Sequence, residues 1–125
     1  MFRSLFSRKT APLTGAPAVR RLKTYSAQSG YVYQYFYEGH RGEVFVFSVS
    51  ADRKTWSTVT VAVPDTALES WQAANARELS STERYAIAKI ALFQAFDERP
   101  NPAAMRAEIQ VRPADAAAII ESLGL

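Results

Sequence analysis

The sequence predicts an α+β domain in the order β-β-β-α-α-β-α: a three-stranded antiparallel meander plus a fourth strand, with the helices packed on one face. Three observations carry this. Runs rich in Val, Phe, Tyr, Trp and Thr succeed one another between residues 31 and 63, a composition suited to a pleated, half-buried surface. Two Ser/Thr-x-x-Glu boxes then open apolar stretches with helical spacing. The whole chain, 125 residues and 48% hydrophobic, is enough for one core and too short for two.

The first strand spans Tyr31–Glu38 and places Tyr31, Tyr33, Tyr35 and Tyr37 on one face, because strand side chains alternate. Gly39-His40-Arg41-Gly42 reads as a tight hairpin connection. A three-residue loop ending in a left-handed Gly42 would set Tyr37 opposite Phe45 and Tyr35 opposite Phe47. The second strand is Glu43–Ser50 and the third Trp56–Val63, joined by the polar turn Ala51-Asp52-Arg53-Lys54. Pro64 ends the third strand. Thr66-x-x-Glu69 predicts a capped helix over Ala67–Arg77, and Ser80-x-x-Glu83 a longer one through Phe96. In the longer helix Tyr85, Ala88, Leu92 and Phe96 form one apolar stripe, broadened by Ile87, Ile90 and Ala91. Met105, Ala107, Ile109 and Val111 alternate with polar residues as the fourth strand, while a helix from Pro102 competes for Ala103–Ile109. Pro113 suits the first position of a closing helix that carries Ile119, Ile120 and Leu123.

Residues 1–29 form a separate unit, a basic arm without acids, ahead of a single domain at 30–125. Arg3, Arg8, Lys9, Arg20, Arg21 and Lys23 are the only charged residues before Glu38, whereas the remainder carries nine bases and twelve acids. The net charge of +3 therefore conceals a cationic arm on a mildly acidic body. Pro12, Gly15 and Pro17 interrupt any helix begun at Phe2. Three readings fit such a segment: a solvated tail, an organellar presequence, or an arm that docks on an anionic or apolar partner. No continuous apolar run follows the basic start, as a secretory signal requires. A cytoplasmic location is expected, or an organellar matrix if the arm is a targeting segment.

Catalytic signals are sparse. With no cysteine and one histidine, thiolate chemistry, disulfides, cysteine metal sites and two-histidine sites are all excluded within one chain. His40 sits at a hairpin tip, where solvent opposes a fixed catalytic dyad. Glu38, His40 and Glu43 match no metal-ligand spacing. No P-loop, dinucleotide fingerprint, HExxH or GxSxG occurs, and neither a cofactor nor a metal is expected.

The expectation is thus a non-catalytic accessory protein that docks on a larger protein assembly. Phe2, Leu5 and Phe6 would be apolar anchors, and Arg3, Arg8, Lys9, Arg20, Arg21 and Lys23 would supply charge. Nucleic-acid binding is the alternative, with arm bases on phosphates and the face of Tyr31, Tyr33, Tyr35 and Tyr37 stacking on bases. Against it, the apolar helices need a sheet face to cover, and these tyrosines supply one. A further alternative is a ligand-binding domain or small enzyme with a pocket between sheet and helices. No run is long and apolar enough to span a membrane, though peripheral contact is compatible with the basic arm.

Overall fold

The computed structural model describes residues 12–125. One sheet holds five strands in the order β1-β2-β3-β4-β5: β1 Lys23–Ser26, β2 Val32–Arg41, β3 Val44–Ser50, β4 Ser57–Ala62 and β5 Ile109–Gln110. The first four pair antiparallel, and β5 lies parallel to β4. The helices are α1 Asp65–Asn75, α2 Ser81–Glu98 and α3 Pro113–Ser122, with a 3-10 turn at Pro102–Arg106. Among the described residues no helix is long and apolar enough to cross a membrane.

The α+β class, the meander and the strand–helix order follow the sequence, and four local features differ. The first is β1, whose four residues lie inside the segment assigned to the arm. Only Tyr25 gives it an apolar side chain, so the alternation that marks a strand is missing. Tertiary contacts hold it instead: the Tyr25 ring stacks on Phe93 at 4.5 Å, and its hydroxyl donates to Asp97 Oδ2 at 2.7 Å. The Gln28 amide donates to Asp97 Oδ1 at 2.9 Å.

The second concerns register. Tyr37 pairs with Phe47 and Tyr35 with Val49, two residues from the expected partners. A shift by two keeps each side chain on its face, so the aromatic sets still gather on one side. A bulge then intervenes between Tyr37 and Gly39. Glu38 is the inserted residue, and beyond it the alternation changes phase, bringing His40 opposite Phe45. The hairpin closes through Gly42 at φ 57°, in the left-handed conformation that glycine takes without steric cost.

Third, α1 begins at Asp65, with Pro64 as its extended N-cap and no capping side chain from Thr66. Glu43, remote in sequence, supplies the cap: its Oε2 accepts from the Asp65 amide at 2.8 Å. The box at Ser80 and Glu83 forms as expected, each side chain accepting from the other's amide. Fourth, the segment from Pro102 divides between the two structures that competed for it. A 3-10 turn is anchored by Asn101, whose Oδ1 accepts from the Ala104 amide, and only a two-residue strand follows. Arg99 fixes the turn by donating to the carbonyls of Ala104 and Ala107.

The core lies between one sheet face and the helices. Tyr33, Tyr35, Phe45, Phe47, Val49, Val59 and Val61 meet Ile87, Leu92 and Phe96 of α2, Leu68 of α1, and Ile119 and Ile120 of α3. Phe96 is wholly buried and touches Tyr25, Tyr33 and Tyr35, so its truncation to alanine would cost about 3–5 kcal/mol.

Candidate functional site

Of the residues predicted to bind a partner, Phe2, Arg3, Leu5, Phe6, Arg8 and Lys9 lie outside the described residues. The other three do not form one patch. Arg20 reaches back to β2, with its guanidinium 4.4 Å from the centroid of the Phe36 ring and Nη2 donating to Glu38 Oε2 at 2.7 Å. Ser48 also donates to that oxygen. Phe36 meets Trp56 at 5.2 Å between centroids. Arg20, Phe36 and Trp56 thus make a stacked cluster on the sheet face away from the core. Lys23 shares the parity of Tyr25 on β1 and sits near Lys89 of α2, whose ammonium is made easier to deprotonate by burial and then by Lys23. Arg21 is exposed.

The tyrosine row has a different fate. Tyr33 and Tyr35 are buried, Tyr37 is half-buried, and only Tyr31 presents a substantially exposed ring. The Phe96 ring stacks on Tyr33 at 4.3 Å, and Phe93 meets Tyr35 edge-on at 5.8 Å. Helix α2 therefore occupies the face on which bases would have stacked. Burial pushes the phenols of Tyr35 and Tyr37 up to about 12, helped by the nearby Tyr85, so both stay protonated at neutral pH.

A cleft of about 850 Å³ opens where the β2–β3 hairpin faces the starts of α1 and α2. Tyr37, Phe45 and Tyr85 line it with aromatic rings, Tyr37 and Tyr85 lying 4.5 Å apart. The bulge at Glu38 is what brings His40 to this wall. Its Nδ1 lies 3.0 Å from the Gly42 carbonyl, and Thr14 Oγ1 lies 3.3 Å from Nδ1 and 3.2 Å from Nε2. The ring nitrogens point in different directions, so an oxygen nearly equidistant from both lies over the ring rather than along a lone pair. That placement does not suit abstraction of the Thr14 proton.

Three charged groups that line this cleft, Glu43, Asp65 and Arg84, are engaged with the protein itself. Glu43 caps α1, and Arg84 pairs with Asp65. At the start of α2 the Glu83 carboxylate accepts from the Ser80 amide and pairs with Arg77. The amide bond first, then Arg77, holds its carboxyl below the usual carboxylate range. Glu38, His40 and Glu43 do not converge, since Glu38 turns to Arg20, Glu43 to Asp65 and His40 to Gly42. Among the described residues no cluster of His, Asp or Glu is placed to hold a metal ion.

The Arg20–Phe36–Trp56 cluster was not anticipated, although two signals for it were present. Phe36 is out of phase with the tyrosines and so faces away from them, and Trp56 opens a strand two positions before Thr58 on the same face. Only folding shows that Arg20 returns across sixteen residues to join Phe36. Comparison of the chain with protein-family models, with curated proteins and with solved structures gives no match.

Proposed function

We propose that this chain is a non-catalytic interaction protein whose basic N-terminal segment docks on a larger protein assembly, together with the sheet face that carries Phe36 and Trp56. The observation that supports this most directly is the cluster of Arg20, Phe36 and Trp56 beside an exposed strand of chain. Trp56 is 39% exposed, and in the adjoining segment Val19 and Leu22 are 66% and 52% exposed. Trp, Arg and Phe are residue types enriched at protein interfaces, where burial of a few large side chains supplies most of the affinity. The core helices gather on the opposite side, and Val46 and Ala62 on this side stand outside the core cluster. The basic residues add steering toward an acidic partner.

The test compares three tagged proteins in pull-downs from the native host: the full chain, a chain starting at Pro12, and the full chain with Phe36→Ala and Trp56→Ala. Each is run with nuclease, at low and high salt. A discrete protein partner, retained through nuclease and salt and weakened at least tenfold by either change, is the expected result. Recovery that collapses with nuclease or falls steeply with salt would transfer the reading to nucleic acid, by counterion release. Equal recovery by all three proteins would remove the docking role from both surfaces.

A further inference from the structure

The cleft between the β2–β3 hairpin and the starts of α1 and α2 combines a wall of rings with a surplus of negative charge. Along the wall, Tyr85 meets Tyr37 at 4.5 Å between centroids, Tyr37 meets Phe45 at 6.4 Å, and Phe45 meets His40 at 5.4 Å. Tyr37, His40 and Tyr85 are only half-buried, so ring surface stays open to the cleft they line. Gly15 bounds the end beside His40. A Cβ there would stand 3.0 Å from the imidazole Cδ2 and 3.9 Å from the Tyr37 hydroxyl.

The charge is uneven. Among the described residues that line the cleft, Glu43, Asp65 and Glu78 set three carboxylates against the one guanidinium of Arg84, an excess of two negative charges. Glu43 and Asp65 are committed to the cap of α1 and the pair with Arg84. Glu78 is exposed and has no hydrogen bond or ion pair with another described residue. An anion is disfavoured here, and carboxylates already meet the Asp65 and Ser80 amides where the two helices start. A metal ion is not served either, since among the described residues no three acidic or imidazole groups converge.

We propose that this cleft binds a small quaternary ammonium compound. Its methyl groups lie against the rings of Tyr37 and Tyr85, whose faces carry partial negative charge and attract a weakly hydrated cation within about 6 Å of the centroid. Glu78 supplies the counter-charge at the rim. The cleft shares no residue with the Arg20–Phe36–Trp56 cluster, so the two sites stand or fall separately.

The experiment titrates choline and its uncharged isostere 3,3-dimethylbutan-1-ol into the full chain and follows the ring resonances of Tyr37. Choline should shift them saturably and bind about threefold or more tightly than the isostere. Glu78→Lys, a charge reversal at an exposed position, should weaken choline about threefold and leave the isostere unchanged. Tyr85→Leu keeps an apolar side chain and removes the aromatic face, so it should bring the two affinities closer together. Three results would each overturn the proposal: no saturable shift with choline in the unaltered chain, equal affinity for choline and the isostere, or a choline-to-isostere ratio that either variant leaves unchanged.

Discussion

Asp52 shows how one side chain can organise a turn and record pH. Its Oδ1 accepts from the amides of Thr55 at 2.7 Å and Lys54 at 2.8 Å and from the Ser50 hydroxyl at 3.1 Å. Those amide bonds, Thr55 first, lower its carboxyl to about 2. A carboxyl group with a depressed folded value contributes stability that is complete above its unfolded value, near 4, and is lost as pH falls toward 2. Asp52→Asn should therefore be less stable than the parent at pH 7, with the gap closing by about pH 2. Urea midpoints measured at several pH values decide it, and a gap independent of pH would show that charge has no part. The residue also shows what sequence can convey, since Asp in a polar four-residue turn announces local hydrogen bonding. Asp97 announces nothing comparable. Its partners, Tyr25 and Gln28, lie about seventy positions away, and its place at a helix C-terminus argues against a carboxylate.

At the scale of elements, the bulge in β2 controls which groups face the large cleft. Gly39 makes it possible, with φ at 122°, and a Cβ there would stand 2.8 Å from the Thr14 carbonyl oxygen and 3.1 Å from Leu13 Cβ. Thr14 and His40 exchange amide–carbonyl bonds of 2.8 Å beside it. Gly39→Ala should cost roughly 1–3 kcal/mol through backbone strain and release that bridge. Amide exchange at Thr14 and His40 reads the effect directly, and unchanged protection would contradict it. Alternation along Tyr31–Tyr37 fixed the face of the tyrosines correctly but could not show the phase change at Glu38, which depends on the partner strand and on Thr14. The capping of α2 was legible because Ser80 and Glu83 are three residues apart. The capping of α1 was not, because Glu43 reaches Asp65 from another element.

For the molecule as a whole, the consequence lies in the N-terminal region, which is not divided from the body at residue 29. Strand β1 extends the sheet by four paired residues, and Tyr25 joins the aromatic cluster of α2 through Phe93 and Phe96. A chain starting at Gln28 should melt roughly 5–15 °C below the full chain, since it loses an edge strand and a stacked ring. Identical melting curves would show that β1 contributes nothing to stability. The same result bears on pull-downs: a shortened chain tests docking cleanly only when it retains Lys23–Ser26, which is why the comparison above starts at Pro12.

By itself, the sequence determined the α+β class, the meander, the two longer helices and the burial of the tyrosine face. These rest on periodicity and on short-range capping, both of which act within a few residues. Tertiary structure alone decided strand β1, the bulge, the remote cap on α1, the meeting of Arg20 with Phe36 and Trp56, and the unpaired hydroxyl of Tyr33. Each of these depends on groups brought together across chain distances at which residue spacing carries no signal, so only the packed molecule specifies them.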